Sequence, residues 1–383
     1  MDFEKAIGRR LKTLTGENRD LLRRYEAEMR AAGLAVRTRL RQLEIIARLV
    51  DDLEKPLGEM DKADLVNWIA SKELADTTMR VTVTIIRKFW KWMNGGEEYP
   101  PEVKGLKRNS IKKTDTLRSQ DLLTEEEVLT LIQVSPLSRD KAILALLWDS
   151  GCRVGEILGM KVGDVQQHPR YPKALLVSVR ESKIEPRELA LFDCRPWVTR
   201  WLNEHPYREE PGQPLFVSLS KANYLGPLSA MGVSRIVRVA MERAKDHNLI
   251  SKEKRVWVHL FRHSRASDLV SKDYHGEKLK QRMGWTMDSK MLARYIHLGS
   301  AASHDEDARI AGIEEEGTPK QSLMQETTCP VCATENPPGF KFCGNCSQPL
   351  TSEAATEVEE IKEDLVALVE RLVEEKLREG LAK

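Results

Sequence analysis

Residues 258–267 read VHLFRHSRAS. On a helix, His259 and Arg262 stand three apart on one side, and His263 follows directly. A His-x-x-Arg pair occurs by chance in many helices, so its meaning depends on what surrounds it. Downstream, residues 291–299 read MLARYIHLG and place Tyr295, one of seven tyrosines, between a basic residue and a histidine. Such a tyrosine is either an ordinary helix aromatic or is there for its hydroxyl.

The second role makes chemical demands. A phenol has a pKa of about 10, so one that attacks a phosphodiester must lose its proton as it does so. The target is anionic, so its oxygens must be held by cations that stay charged, and the planar arginine fork donates two bonds to phosphate. The leaving alkoxide needs a proton donor. The chemistry therefore asks for two arginines, a general acid and a further donor.

The chain supplies candidates in a consistent order. DSGCRVGEIL (149–158) places Arg153 after a glycine turn at the start of a helix, whose N-terminus favours an anion. RESKIEPRELAL (180–191) places Lys183 in a hairpin turn, with Arg180 as a neighbour. VHLFRHSRAS adds His259 and Arg262, and QRMGWTMDSKMLARYIHLG (281–299) adds Trp285 and then Tyr295.

These motifs together resemble the tyrosine recombinase (phage integrase) family. SGCRVGEIL resembles the first arginine box, and HLFRHS is similar to the His-x-x-Arg-His box. MGW, followed ten residues after its tryptophan by YIHL, resembles the third box with its tyrosine. The resemblance covers roughly residues 120–300, and residues 1–93 look like the family's helical core-binding domain. It implies that Arg153 and Arg262 clamp the scissile phosphate and that Tyr295 attacks it, leaving a 3′-phosphotyrosyl link and a free 5′-hydroxyl. It implies that Lys183 protonates the 5′-oxygen and that His259 assists proton transfer. Trp285 stands where many members carry histidine; indole donates one hydrogen bond but moves no proton. Glu156 is either a support for the site or an exposed surface glutamate. His263 either positions the clamp or is a core histidine. No metal or cofactor is needed for this chemistry.

Composition reads as soluble and globular, and on charge alone a polyanionic partner and an ordinary solvated surface are both open. Hydrophobic residues are 41% and charged residues 31% of 383, with no apolar run of membrane-span length. The first residues lack a signal-peptide core, and no phosphate-binding Gly-x-x-x-x-Gly-Lys-Ser/Thr loop occurs, which argues against a nucleotide cofactor. A net charge of +2 hides a split. Residues 1–300 hold 53 basic against 41 acidic side chains, and residues 301–383 hold 8 against 18. A basic body suits a polyanion.

Cys329, Cys332, Cys343 and Cys346 form C-x2-C-x10-C-x2-C, the spacing of a four-cysteine zinc ribbon, with Gly344 allowing the second tight turn. Thiolate ligands imply a reducing, cytoplasmic compartment. Short ribbons of this kind give the chain an archaeal look. In EVEEIKEDLVALVERLVEEKLREGLAK, Val358, Ile361, Leu365, Leu368 and Leu372 line one face of a C-terminal helix suited to protein contact.

The expected fold is mainly α with a small β-sheet. It divides into a helical domain (1–93), a basic linker (94–118), an α+β catalytic domain (119–300), an acidic flexible linker (301–326), a zinc ribbon (327–350) and an amphipathic helix (352–383). In the first domain, Val36, Leu40, Leu43 and Ile46 should face the core while Arg37, Arg39, Arg41 and Arg48 fall largely elsewhere. The β-branched run TMRVTVTIIRKFWKWM reads as a helix with Val83, Ile86, Trp90 and Met93 as its stripe. The expected function is a site-specific recombinase or integrase of a mobile element, acting on duplex attachment-type DNA as a homo-tetramer. The alternatives are a type IB topoisomerase-like relaxing enzyme and a non-catalytic DNA-binding protein.

Overall fold

The computed structural model describes residues 3–14, 16–106, 118–182, 185–272, 274, 276–298, 322–352, 354–359, 361–362 and 365–366, without the side chains of 294 and 296–298. The chain divides into two compact units, Met1–Thr116 and Leu117–Lys383.

The first unit contains α1 (Phe3–Lys12), α2 (Gly16–Ala31), α3 (Val36–Leu53), α4 (Lys62–Ala70) and α5 (Asp76–Met93). Asp61 starts α4 with a capping box: its carboxylate accepts from Asp64 N at 2.9 Å, and that of Asp64 accepts from Asp61 N at 3.0 Å. α5 is helical despite its β-branched run, because helical spacing puts Met79, Val83, Ile86, Phe89 and Trp90 into one core with Leu22, Leu43 and Ile46. Arg39 departs from the surface position expected for it. It is buried and ion-paired with Glu26 and Glu4, and donates through Nε to Leu34 O at 3.1 Å. A guanidinium is stable inside a helical unit only when so paired. Arg37, Arg41 and Arg48 are exposed.

The second unit begins with α6 (Glu125–Gln133), capped as its sequence predicts by Thr124 and Glu127. α7 (Ser138–Ser150) is buried continuously from Ala142 to Ser150 and forms the axis of the core. Gly151, at φ 60°, ends it in the left-handed conformation that only glycine adopts without cost, and turns the chain into α8 (Val154–Gly159). Then come β1 (Val165–Gln167), β2 (Leu175–Val179) and β3 (Arg187–Leu191), an antiparallel meander in the order β1-β2-β3. Val177 faces Leu189 and Val179 faces Arg187 in its register. α9 (Arg195–Glu204), α10 (Ala230–Asp246), α11 (Val258–Ser271), α12 (Gly276–Met283) and α13 (Met291–Leu298) complete the helical body of this unit. Among the described residues, no helix is long and apolar enough to cross a membrane.

The cysteine-rich segment forms a two-stranded sheet of β4 (Thr327–Thr328) and β5 (Glu335–Asn336). Residues 322–326, which the sequence reading put in a flexible linker, are docked on the helical body of this unit. Met324 is fully buried in the cluster built on α6, α7, α9 and α10. Ser322 donates to the Glu125 carboxylate, and Arg195 pairs with Glu326 at 2.6 Å. Met324 is an unbranched side chain that fills an irregular core gap, and this outweighs the polarity of its surroundings. At its described positions the C-terminal segment is helical, with Ile361 and Leu365 exposed; Leu368 and Leu372 lie outside the described residues.

Met324→Ala should therefore destabilise the second unit by about 2–5 kcal/mol, the cost of emptying a packed methionine site. Equilibrium denaturation of the full chain measures it. A detachable linker predicts no change.

Candidate active site

The site is organised by three consecutive carbonyls at the end of α12. Arg282 O accepts from Arg187 Nε at 3.0 Å, Met283 O from Arg262 Nη2, and Gly284 O from Arg153 Nη1 and Nη2 at 3.2 Å. Arg262 also donates to Gly151 O at 2.7 Å, so its fork spans the turn after α7 and the turn after α12. Gly284 stands at φ 58°, the left-handed region that favours glycine, and a Cβ there would lie 2.6 Å from Arg187 Nη1 and displace that fork.

Glu156 is the carboxylate among these cations. It is buried rather than exposed. It accepts from Arg153 N at 2.8 Å and Arg153 Nη1 at 3.0 Å, from Arg187 Nη2 at 3.0 Å and from Ser182 Oγ at 3.3 Å. Burial pushes its pKa up, but the Arg187 bond, the Arg153 N–H and both positive charges prevail and hold it at about 2. Arg262 moves the other way: burial, then the charge of Arg153, lowers its pKa to about 10.

The tyrosine lies beside this clamp. Tyr295 is 1% exposed, and its hydroxyl is 2.5 Å from His263 Nδ1. Its ring stacks on Trp285, with centroids 5.4 Å apart and planes 7° apart, and the Arg262 guanidinium lies 5.7 Å from the Trp285 ring centre. His259 is exposed and meets His263 edge-on at 4.7 Å. Arg153, Glu156, His259, Arg262, His263, Trp285 and Tyr295 are thus gathered in one place by α8, α11, the turn after α12 and α13. Lys183 lies outside the described residues; its neighbour Arg180 pairs with Asp164 at 2.5 Å.

Sequence reasoning passed over Arg187. The signal was its register: Arg187, Leu189 and Leu191 alternate on one face of β3, so a charge sits where the pattern asks for an apolar residue. Cys152 and Cys194 are buried, as small apolar residues would be.

Away from this site, the sulfurs of Cys329, Cys332, Cys343 and Cys346 all lie within 4.8 Å of one another, with Cys329–Cys346 and Cys332–Cys343 at 3.5 Å. Ligands at about 2.3 Å in a tetrahedron around zinc sit about 3.8 Å apart, so the cluster fits a metal. The two knuckles repeat one pattern. Ala333 N bonds Cys329 O at 3.0 Å and Ser347 N bonds Cys343 O at 2.9 Å, with Ala333 and Ser347 both left-handed. These residues, rather than Gly344, carry the positive φ of the turns.

Residues 121–301 match the phage integrase family. A probable integrase/recombinase protein of Methanocaldococcus jannaschii is 25% identical over 288 residues, 70% of this chain and 84% of that protein. A tyrosine recombinase of Synechocystis is 25% identical over 243 residues, 62% of this chain and 71% of that protein. Among solved structures, a lambda integrase tetramer bound to a Holliday junction shares the fold. Its TM-score is 0.53 at 18% identity, over 72% of this chain and 76% of that one.

The Glu156 cluster should be visible in acid stability. Its carboxyl is depressed from 4.5 to about 2, so its contribution is complete above pH 4.5 and is lost as pH falls toward 2. The loss is on the order of 3 kcal/mol. Glu156→Gln should remove this part of the acid dependence in pH-resolved denaturation. An acid limb as steep as wild type would show that the carboxylate is not held by its arginines.

Proposed function

We propose that the chain, whose residues 121–301 match the phage integrase family, is a site-specific DNA recombinase working through a 3′-phosphotyrosyl intermediate at Tyr295. The observation that carries the reading is the meeting of the Arg153–Arg262 pair with the Tyr295 hydroxyl in one chain's site. Both guanidinium forks are aimed by backbone carbonyls, and the one carboxylate on Arg153, Glu156, is shared with Arg187, so the site keeps net positive charge for a phosphate. Tyr295 Oη bonds to phosphorus as the P–O5′ bond breaks. His263 Nδ1, in the tautomer that leaves it unprotonated, takes the phenolic proton, and His259 lies beside it to relay or orient. Lys183 returns a proton to the leaving 5′-oxygen. The phosphotyrosyl bond keeps the energy of the broken phosphodiester, so a 5′-hydroxyl from another strand reseals it without a cofactor. Tyr295 contacts His263 of its own chain, which supports attack within its own site, and its burial means that DNA must first open a path to it.

Recombining two duplexes takes four such sites, hence a homo-tetramer on attachment-type DNA of a mobile element. The exposed Ile361 and Leu365 offer an apolar stripe for contacts between subunits. The four cysteines hold one structural Zn2+. Four protein thiolates fill the tetrahedron, so the ion contributes folding and not chemistry, and the reduced thiols suit the cytoplasm.

Two experiments test this. The full chain is incubated with a pool of nicked duplexes randomised over their core, and strands linked to denatured protein are captured and sequenced. Wild type should form adducts on a defined sequence, and Tyr295→Phe, which loses one oxygen, should bind the same duplex and form none; adducts from that variant would exclude Tyr295 as nucleophile. Metal analysis should find one zinc per chain, most of it gone in Cys343→Ser. A chain purified without metal and unaffected by chelator would remove the zinc assignment.

A further inference from the structure

Three arginines occupy the three carbonyls of residues 282–284, but only Arg153 and Arg262 have a reason to be there as phosphate ligands. The third, Arg187, has a side chain only 6% exposed, less than the 29% of Arg153. Its contacts are all internal: Glu156 Oε2 at 3.0 Å and Oε1 at 3.3 Å, Ser182 Oγ at 3.3 Å, Cys152 Sγ at 3.3 Å and Arg282 O at 3.0 Å. Burying a guanidinium is unfavourable unless every donor is directed. A buried arginine beside two others adds repulsion as well, so its place needs a reason beyond packing.

We propose that Arg187 is a positioning residue of the phosphate clamp, acting on Arg153 and Arg262 through the 282–284 backbone and through Glu156. The inference rests on the recombinase reading of the same site. Two effects follow from the geometry. Arg187 tethers the carbonyl of Arg282, and with it the peptide run whose next two carbonyls aim Arg262 and Arg153. The absence of a side chain at Gly284 lets Nη1 close against that run. Arg187 also offsets the charge of Glu156. Without it, Glu156 would orient Arg153 while cancelling the charge that Arg153 brings to a phosphate. With it, the carboxylate keeps its aiming role and the site keeps a surplus of two positive charges over Arg153, Arg187, Arg262 and Glu156.

The test uses the full chain and the nicked duplex selected by wild type, at saturating protein, with cleavage rate and duplex affinity measured separately. Arg187→Met should slow cleavage about 100-fold, the scale of a misplaced catalytic group, with affinity changed by less than about threefold. Its rate deficit against wild type should narrow as pH falls and the Glu156 carboxyl takes up a proton. The groups left facing Glu156 would be Arg153 on its own turn, Ser182 on the hairpin, the Cys152 thiol and Arg262 from α11, and burial would then raise the carboxyl. Adding Glu156→Gln to Arg187→Met should recover about tenfold in rate, because it removes the carboxylate left under-compensated. Arg187→Lys keeps a cation but loses the fork. It should cleave at least about tenfold slower than wild type at unchanged affinity, and it carries the test where the methionine variant does not fold. Wild-type rates in Arg187→Lys, or a loss of affinity that parallels the loss of rate, overturn the positioning role. No adduct from wild type itself would instead remove the recombinase reading, and this role with it.

Discussion

Holding several arginines close together without neutralising them is the constraint on which this site depends. Carboxylates would hold them firmly but would cancel their charge. The structure uses backbone carbonyls instead. Arg282, Met283 and Gly284 each present one oxygen to a different guanidinium, and Gly151 presents a fourth. A carbonyl fixes the direction of a fork through its dipole and leaves the cation's charge intact. Burial first, and then the charge of Arg153, lower the pKa of Arg262. Glu156 is the exception, and it is shared between two arginines.

Carbonyls can do this only if their peptides are fixed. Behind the site, Asp149 and Asp193 supply that rigidity. Asp149 Oδ1 accepts from Arg265 at 3.2 Å and Arg282 at 3.3 Å, its Oδ2 accepts from Cys194 N at 3.0 Å, and its carbonyl accepts from Arg282 at 2.9 Å. Asp193 accepts from Arg265 at 3.1 Å. The end of α7, the middle of α11 and the end of α12 are therefore held by one ionic cluster, one layer below the clamp. Burial and the neighbouring Asp193 push the Asp149 carboxyl up, and the two arginines oppose them. Removing either arginine would leave a buried charge without compensation, so the cluster favours a single arrangement of the three elements.

The tail joins this body rather than trailing from it. Gln325 reaches Asp193 at 3.5 Å, Glu326 pairs with Arg195, and Met324 enters the core between them. Within the four-cysteine segment, buried Asn336 links the two turns, donating to Thr334 O at 2.9 Å and accepting from Gly344 N at 2.8 Å. These backbone and amide hydrogen bonds connect the segment's two turns.

Much of this was legible in the sequence, because it depends on short-range rules. Thr124 with Glu127 and Asp61 with Asp64 begin helices through contacts three residues apart, and Gly151 ends α7 because of its own φ. Chemistry-bearing side chains in a fixed order marked Arg153, His259, Arg262, Trp285 and Tyr295 as candidates that the fold gathers together, and the cysteine spacing marked the four-sulfur cluster. Tertiary structure alone decided what binds them. Backbone carbonyls carry no residue signature, so 282–284 could not be read as acceptors. Arg187 and Glu156 lie 31 residues apart, and whether a charge is buried or exposed depends on whether its partner arrives. The same holds for Arg39 with Glu26 and Glu4, and for Met324 in its core site. Local rules fix where elements begin and end, while the burial of a charge or of a lone apolar residue is settled only by distant partners that the fold brings to it.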